Sequence, residues 1–186
     1  KTVRVRAFGG AGTTRRLQEA GNFDALPMNY STIPRAIREG RLHIDVALAT
    51  LAADGSSYNL GLLADHIAEA IATARVVIAE INDKMPVTYG DTAVEPSRIT
   101  RKIEVSYPPV EIAPAKLGDV EREIGRLIAR LIPDGATLEI GIGAIPDAAL
   151  AALVDKRHLG VHTGTMGDSM VALIEAGVVT NARKPI

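Results

Sequence analysis

The sequence predicts an α/β protein with a mostly parallel, open sheet and helices on the faces of that sheet. Short apolar runs alternate with amphipathic segments along most of the chain, which is typical of strands that alternate with helices. The second half reads strand, helix, strand, helix, strand, and this order requires parallel pairing. The 186 residues are 47% hydrophobic, which is enough for one substantial core.

The first half is predicted to hold four strands and two helices. The helix over Leu60–Ala74 is indicated by Leu63, Ile67 and Ile71, which recur every four residues and form one apolar stripe. The shorter helix ends at Gly40, a residue type that commonly follows a helix. The predicted elements are the strands Val3–Phe8, Asp45–Leu51, Arg75–Ile81 and Arg101–Tyr107, and the helices Ser31–Glu39 and Leu60–Ala74.

The second half gives the clearer pattern. Asp119 is predicted to cap its helix, and Pro146 stands where the next helix should begin, because proline is favoured in a first helical turn. The first helix is expected to bury one apolar face, formed by Val120, Ile124, Leu127, Ile128 and Leu131. The predicted elements are Asp119–Ile132 (helix), Leu138–Ile140 (strand), Pro146–Asp155 (helix), Leu159–Thr163 (strand), Asp168–Ala176 (helix) and Val178–Thr180 (strand).

Composition excludes several classes of function. The 21 basic and 22 acidic residues give a net charge of −1, and aromatic residues make up 3%, so a nucleic-acid surface is not expected. Cysteine is absent, which removes disulfides, thiolate metal sites and a cysteine nucleophile. Apolar runs are far shorter than the roughly 20 residues of a spanning helix, and no signal peptide is evident. The chain is therefore predicted to be cytoplasmic, with neither nucleic acid nor membrane as partner.

The segment from Gly141 to Asp147 is the first candidate for a binding site. Two glycines between a strand and a helix let the backbone approach a ligand, and the helix N-terminus favours an anion or a developing oxyanion. A tight turn without a ligand is the plainer alternative. A nicotinamide-dinucleotide site of an oxidoreductase is a third interpretation, but Pro146 replaces the third glycine of that fingerprint.

The turn after His162 is the second candidate. In an open parallel sheet, ligands gather at the carboxyl ends of the strands. His162 ends one predicted strand and Gly141 follows another, so we expect the two turns to line one crevice. Thr163, Asp168 and Ser169 lie close to His162 in sequence and are candidate neighbours.

Other interpretations of the His162 turn are weaker. A metal site would use His158, His162 and Asp168, but the two histidines are separated by a strand rather than by a helical turn. A triad of Ser169, His162 and Asp168 lacks the strained elbow that exposes a nucleophilic serine. His162 can also be a hydrogen-bonded structural residue, and Asp168 can serve as a helix cap. No metal is therefore predicted.

Several segments resemble the acetyl-CoA hydrolase/transferase family, which includes 4-hydroxybutyrate CoA-transferases. Val76–Pro86 resembles the family's VIAEVNDxMP segment, Leu138–Leu153 its LQLGIGxIPDAVL loop and helix, and Leu159–Lys184 its LGIHTEMFSDGVVDL region. Pro27–Pro34 and Leu42–Leu51 also match in order, so the resemblance runs over about residues 18 to 186.

The resemblance implies a fold and an activity. Residues 1–186 would form one α/β domain with the CoA-transferase (NagB/RpiA-like) fold, as the N-terminal half of a longer protein whose active site lies between two halves. The substrates would be acyl-CoA and small carboxylates, with CoA as a substrate rather than a tightly bound cofactor, and the protein would be a homo-oligomer. The activity would move CoA between carboxylic acids or hydrolyse acyl-CoA.

The resemblance also assigns site residues. The family's CoA-contacting loop falls on Gly141, Ile142, Gly143, Ala144 and Ile145. The family's nucleophilic glutamate falls on Gly164, so the carboxylate is absent at that position.

The neighbours of position 164 do match the family, namely His162, Thr163 and Asp168, and they would have supporting roles. The missing carboxylate leaves an alternative open. The protein would then bind CoA without covalent transferase chemistry, because a covalent route requires a carboxylate to form the enzyme-CoA thioester.

Overall fold

A computed structural model describes residues 3–8 and 14–184 of the chain. The chain divides into two compact units, Lys1–Val110 (unit 1) and Glu111–Ile186 (unit 2). Each unit contains strands and helices, and strands in both units pair in parallel, which confirms the predicted α/β fold. The assignment of residues 1–186 to a single domain remains a prediction.

Unit 1 contains a five-stranded sheet and a separate two-stranded pair among the described residues. The sheet order is β6-β4-β3-β5-β7, in which β3, β5 and β7 are parallel while β4 and β6 add antiparallel. β1 and β2 form a parallel pair of their own. The strands are β1 (Val5–Ala7), β2 (Phe23–Ala25), β3 (Val46–Asp54), β4 (Ser57–Asn59), β5 (Val76–Asn82), β6 (Ala93–Val94) and β7 (Arg101–Val105), and the helices are α1 (Arg15–Glu19), α2 (Ile33–Arg38) and α3 (Ile67–Thr73).

One face of the β3-β5-β7 sheet carries the core of unit 1. Ala47 and Leu51 of β3 lie beside Val77 and Ile81 of β5 in the parallel register, and all four side chains are buried. Ile71 of α3 belongs to the same apolar cluster. The predicted buried strands are therefore confirmed, and each extends slightly beyond its predicted end.

The prediction of a helix over Leu60–Ala74 is wrong in its first half. α3 begins only at Ile67, and Leu63 lies outside it with 67% of its surface exposed. The cause is Asn59, a buried residue whose Oδ1 accepts a hydrogen bond of 2.8 Å from the amide of Gly61. Gly61 has a φ of +63°, so the backbone leaves the helical path there.

Unit 2 shows the predicted parallel order with shorter strands. Thr137 and Leu138 of β8 pair in parallel with Gly160 and Val161 of β9, and Leu159 forms a single parallel bridge with Val179. The predicted strand Val178–Thr180 is therefore reduced to that bridge. The elements of unit 2 are α4 (Asp119–Leu131), β8 (Thr137–Leu138), α5 (Ala144–Ala151), β9 (Gly160–Val161) and α6 (Asp168–Glu175).

The buried face of α4 differs from the predicted one. Gly125 and Ala129 are its buried residues, whereas Val120, Leu127 and Leu131 are exposed. Small residues are buried because the neighbouring backbone is very close. A Cβ atom on Gly125 would lie 2.4 Å from the carbonyl oxygen of Ala148 in α5.

The start of α4 also corrects a prediction. The N-cap is Gly118, and Asp119 is the first helical residue rather than the cap. Oε2 of Glu121 accepts a hydrogen bond of 3.0 Å from the Gly118 amide, which fixes the first turn.

The helix after the glycine loop begins two residues before Pro146, where the sequence predicts its start. α5 starts at Ala144, and Pro146 lies in its first turn. It ends at Ala151, earlier than the predicted Asp155, and turns follow. Within residues 3–8 and 14–184, every helix is too short or too polar to cross a membrane.

Candidate functional site

The glycine loop of unit 2 ends in a backbone conformation that requires glycine. Gly143 is the N-cap of α5 and has a φ of 127° and a ψ of 178°. A side chain is strained at such a positive φ whatever space surrounds it. Gly141 carries no such constraint, and a Cβ atom there would meet nothing within 4 Å. The loop is exposed, and the side chain of Ile142 is 73% accessible.

The same loop presents backbone donors. Within the described residues, the amides from Gly141 to Ile145 make no hydrogen bond, while Asp147 N donates to the carbonyl oxygen of Gly143 at 3.0 Å and begins the helical ladder. Pro146 has no N–H group, so the first helical turn offers one donor fewer than usual. The donors lie at the positive end of the α5 dipole, and an anion or a developing oxyanion is stabilised there.

The predicted crevice is present only in part, because a cavity of unit 2 is lined by the glycine loop and the start of α6 but not by His162. A cavity of about 530 Å³ is lined by Gly141, Ile142 and Gly143 on one side and by Asp168 and Ser169 at the start of α6. The segment from Ile112 to Ala115, which precedes α4, forms another part of the wall. The glycine loop after β8 therefore shares this space with Gly167, Asp168 and Ser169, whereas His162 at the end of β9 does not line it.

The structure supports neither the triad of Ser169, His162 and Asp168 nor Asp168 as a helix cap. The hydroxyl of Ser169 donates a hydrogen bond of 2.9 Å to Oδ1 of Asp147 in α5, so its structural partner is a carboxylate rather than His162. Asp168 is the first residue of α6 and not its cap, since Gly167 occupies the N-cap position without a side-chain hydrogen bond. The Asp168 side chain is exposed at the edge of the cavity.

His162, Thr163 and Gly164 line a different cavity of unit 2. Its volume is about 500 Å³, and Lys184 also contributes to the wall. Thr163 fixes this turn to the end of the neighbouring strand, because its hydroxyl donates to the Ile140 carbonyl oxygen at 2.8 Å and accepts from the Ile140 amide at 3.2 Å. His162 itself is exposed.

Gly164 has room for a side chain. A Cβ atom built there would meet nothing within 4 Å, and its φ does not lie in the left-handed region. A carboxylate-bearing residue could therefore be introduced without a steric clash at its first side-chain atom.

The site residues implied by the resemblance are thus distributed over three neighbouring surfaces of unit 2. The larger cavity holds most of the glycine loop together with Asp168, and the second holds the His162 turn. Ile145 lines a third cavity of about 240 Å³, and Ala144 is half-buried in the first turn of α5.

Two residues near the site were not predicted to have a role. Asp147 accepts the Ser169 hydrogen bond, and its position in the first turn of a helix after a glycine loop was the available signal. Lys184 lines the cavity of Gly164, and nothing local in the sequence indicates this, because the contact depends on the return of the chain after α6.

A metal centre is not assembled by the described residues. Within residues 3–8 and 14–184, no group of three or more histidine, aspartate or glutamate side chains is placed to hold an ion. His158, His162 and Asp168 therefore do not form such a group. His158 instead adopts a φ of 57° in the turn before β9.

The chain belongs to the acetyl-CoA hydrolase/transferase family. Residues 3–112 match the model of that family's N-terminal domain, which confirms the family that the sequence segments suggested. The matched region ends within two residues of the division between the two units.

Individual relatives extend the similarity over both units. The chain is 42% identical over 177 residues to a 4-hydroxybutyrate coenzyme A transferase of Clostridium kluyveri, covering 94% of the chain and 41% of that protein. It is 38% identical over 182 residues to a succinyl-CoA:acetate/propanoyl-CoA:succinate CoA transferase of Fasciola hepatica, covering 96% of the chain and 38% of that protein. The chain therefore spans about two fifths of the length of these relatives.

Two solved structures are also similar in fold to this chain. The crystal structure of 4-hydroxybutyrate CoA-transferase from Porphyromonas gingivalis matches with a TM-score of 0.84 at 30% identity, over 100% of this chain and 49% of that one. RipA from Yersinia pestis matches with a TM-score of 0.85 at 32% identity, over 92% of this chain and 41% of that one.

Proposed function

We propose that the whole protein transfers coenzyme A between carboxylic acids. The observation that carries this proposal is the glycine loop at the start of α5, with its unpaired amides and its glycine-only conformation at Gly143, within a chain of the acetyl-CoA hydrolase/transferase family. The named relatives act as CoA transferases, which favours transfer over hydrolysis.

The loop is suited to the charged parts of an acyl-CoA. Its amides from Gly141 to Ile145 can donate to a phosphate oxygen, or to the thioester carbonyl oxygen as negative charge develops on it. The cavity of about 530 Å³ beside the loop is large enough for part of such a substrate rather than all of it. The rest of the substrate would contact other parts of the whole protein.

Transfer by the covalent route needs a carboxylate nucleophile. That carboxylate attacks the acyl-CoA carbonyl carbon and expels the CoA thiolate, which leaves an acyl anhydride. The thiolate then attacks the carboxyl carbon of the enzyme's own residue and releases the acyl group as a free carboxylate. Gly164 cannot perform the first step, so a different carboxylate of the whole protein would do so if the route is covalent.

The alternative is a CoA-binding protein that performs no covalent transfer. It rests on Gly164 alone, and the relatives that share the fold and the surrounding segments are named as transferases, which favours the first proposal. The NagB/RpiA-like fold label, the homo-oligomeric state and acyl-CoA hydrolysis remain further predictions of the same resemblance, and the cytoplasmic location remains a prediction from the composition.

The test measures binding and transfer on the full-length protein. We expect CoA to bind in calorimetry and the CoA group to move from acetyl-CoA to a second carboxylate such as butyrate. Gly143→Ala should weaken CoA binding at least tenfold, because the strained residue moves the loop amides away from their positions.

Gly177→Ala is the matched control. Gly177 also has a positive φ, of 72°, and also has open space around it, but it follows α6 instead of belonging to the loop. Equal loss of CoA affinity in both variants would show that backbone strain, and not the loop, explains the effect. Absence of transfer with intact CoA binding would favour the alternative.

A further inference from the structure

The chain contains two Asp-Gly dipeptides, a sequence in which the two residues can react with each other. Asp54 ends β3 and Gly55 begins the loop to β4 in unit 1, while Asp134 and Gly135 lie between α4 and β8 in unit 2. The amide nitrogen of the glycine can attack the side-chain carboxyl carbon of the aspartate, because glycine has no side chain to block the approach. The contacts around each dipeptide therefore determine how readily this reaction occurs.

The reacting groups of Asp54 and Gly55 lie on an exposed hairpin loop. Asp54 pairs with Ser57, so Gly55 and Ser56 form a two-residue loop, and Gly55 has a φ of +59°. Asp54, Gly55 and Ser56 are all exposed. Within residues 3–8 and 14–184, the Asp54 carboxylate accepts no hydrogen bond and forms no ion pair, and the Gly55 amide donates no hydrogen bond. The Ser57 hydroxyl donates to the main-chain carbonyl oxygen of Asp54 at 3.0 Å and engages neither reacting atom.

The reacting groups of Asp134 and Gly135 are both held by the backbone of Arg157. The amide of Arg157 donates a hydrogen bond of 2.9 Å to Oδ1 of Asp134. The amide of Gly135 donates a hydrogen bond of 2.9 Å to the carbonyl oxygen of Arg157. Both hydrogen bonds must break before the Gly135 nitrogen can reach the carboxyl carbon of Asp134, so the fold opposes the reaction at this dipeptide.

We propose that Asp54 is a site of spontaneous isoaspartate formation that weakens the β3–β4 hairpin, and that Asp134 is protected from the same modification. The Gly55 nitrogen forms a bond to Cγ of Asp54, and the amide proton leaves with the carboxyl hydroxyl group as one water molecule, which gives a five-membered succinimide ring. Water then opens the ring. Attack on the side-chain carbonyl carbon restores aspartate, whereas attack on the main-chain carbonyl carbon leaves a chain that runs through Cβ and Cγ, with a free α-carboxylate.

The modification alters the β3–β4 hairpin at its loop. It adds one carbon atom to the main chain at position 54, next to a strand, β4, that has only three residues. The last of these residues, Asn59, is buried and pairs with Ala52. Oδ1 of Asn59 accepts hydrogen bonds from the amides of Gly61 at 2.8 Å and Thr88 at 3.1 Å. A shift in the hairpin register therefore disturbs a buried hydrogen-bond network and destabilises the folded protein.

The first test compares the two dipeptides in the folded, full-length protein. The protein is incubated at neutral pH and physiological temperature, and its peptides are analysed by electron-transfer fragmentation, which gives aspartate and isoaspartate different fragment ions. We expect at least fivefold more isoaspartate at position 54 than at position 134. A smaller ratio would overturn the proposal. The outcome is independent of the proposed transfer of coenzyme A, because the reaction involves only the chain itself and water.

A denatured sample separates the effect of the fold from the effect of the flanking sequence. In concentrated guanidinium chloride, Asp134 and Gly135 lose their hydrogen bonds to Arg157, and both dipeptides become accessible. We expect the isoaspartate yields at positions 54 and 134 to agree within about threefold under these conditions. A larger excess at position 54 that persists in the denaturant would show that neighbouring residues, rather than the folded structure, determine the difference, and it would contradict the proposed protection of Asp134.

The second test measures the effect of the modification on stability. Full-length wild-type protein, Asp54→Glu and the matched control Asp134→Glu are unfolded in urea before and after the same incubation. Glutamate would have to close a six-membered ring, which forms far more slowly than the five-membered ring. We expect incubation to lower the unfolding midpoint of the wild type and of Asp134→Glu, and to lower that of Asp54→Glu by less than half as much. A decrease in Asp54→Glu of half the wild-type value or more, or no decrease in the wild type, would contradict the proposed effect on the hairpin.

Discussion

The hydroxyl of Ser169 donates a hydrogen bond of 2.9 Å to Oδ1 of Asp147, and this bond joins the first turn of α6 to the first turn of α5. Both residues line the cavity beside the glycine loop. The bond therefore fixes the distance between two helix N-termini that border the same space. It also gives the carboxylate of Asp147 a neutral partner inside unit 2.

Ser169→Ala should destabilise the full-length protein by about 0.5–1.5 kcal/mol, the usual contribution of one hydrogen bond. The remaining Asp147 carboxylate then lacks this donor in a partly buried position. Urea denaturation measures the change. Ser97→Ala is the matched control, because Ser97 is exposed and makes no hydrogen bond within the described residues. Equal stabilities of the two variants would argue against a structural role for the bond.

Gly125→Ala should destabilise the protein although alanine is the better helix former. The gain in helix propensity is about 1 kcal/mol, but the new methyl group would lie 2.4 Å from the carbonyl oxygen of Ala148, and a backbone atom cannot rotate away. We expect a net loss of about 1–3 kcal/mol, as for other overpacked sites.

Thermal or urea unfolding of the full-length protein gives the comparison for this variant. Gly164→Ala adds the same methyl group where nothing lies within 4 Å, and it should be close to neutral. A Gly125→Ala variant as stable as the wild type would mean that α4 can move away from α5 at little cost.

The protein should lose stability between about pH 10 and 12 through Tyr30. Burial, assisted by the hydrogen bond of 2.7 Å to Asp65, raises the pKa of the Tyr30 phenol from 10.0 to about 12. The unfolded chain releases this proton first, so the stabilisation is complete below pH 10 and is lost as the pH rises through 12.

Tyr30→Phe should remove this part of the pH dependence. Spectrophotometric titration of the phenolates, with urea unfolding at each pH, measures both effects. Tyr89→Phe is the control, since Tyr89 is 99% exposed. If the two variants show the same pH dependence, the Asp65 contact does not control the ionisation of Tyr30.

Gly164→Glu tests which carboxylate of the protein acts as the nucleophile. Because transfer is the proposed function and Gly164 has no carboxylate, we expect the wild-type full-length protein to form its CoA thioester on a different carboxylate, and the variant to leave the yield unchanged. The open space at position 164 means that the substitution itself should be tolerated. Intact-protein mass spectrometry after incubation with acetyl-CoA, followed by peptide mapping, gives the answer.

A thioester that forms only in the variant would support the alternative, a CoA-binding protein without covalent transfer. A thioester that appears only in Gly164→Glu and maps to position 164 would identify that position as the vacated nucleophile site. A thioester mapped to Asp168 in the wild type would instead assign the role to a residue of this chain. Gly164→Gln is the matched control, because it adds the same length of side chain without an ionisable carboxyl group.

Local patterns predicted the parts of the fold that depend on local chemistry. The start of α5 followed from two glycines and Pro146, and the parallel order of unit 2 followed from alternation of apolar and amphipathic segments. The first half of the helix predicted over Leu60–Ala74 failed, because Asn59 directs the backbone through contacts with residues about 30 positions away. Such contacts leave no periodic trace in the sequence.

The candidate site was predicted only in part, because some of its contacts are also between residues that are distant in sequence. The rule for strand ends predicts one crevice for Gly141 and the turn after His162, and the structure places Gly141 with Asp168 but not with His162 in that space. The separate cavity of His162 and Gly164 did not follow, because it depends on Thr163 binding the Ile140 backbone and on the return of Lys184. Tertiary hydrogen bonds, rather than sequence distance, determine which turn residues share a space.

The close contact between Gly125 and Ala148 limits how this site can diverge over evolutionary time. α4 and α5 lie this close because Gly125 has no side chain. Any substitution of Gly125 adds at least a methyl group, so the distance between the helices cannot be changed in small steps at this position. A homologue with a wider or narrower cavity must therefore differ in the other walls of the cavity, which are the glycine loop, the segment from Ile112 to Ala115 and the start of α6. Variation in ligand preference should therefore accumulate on the walls of the cavity while the helix pair behind it stays constant.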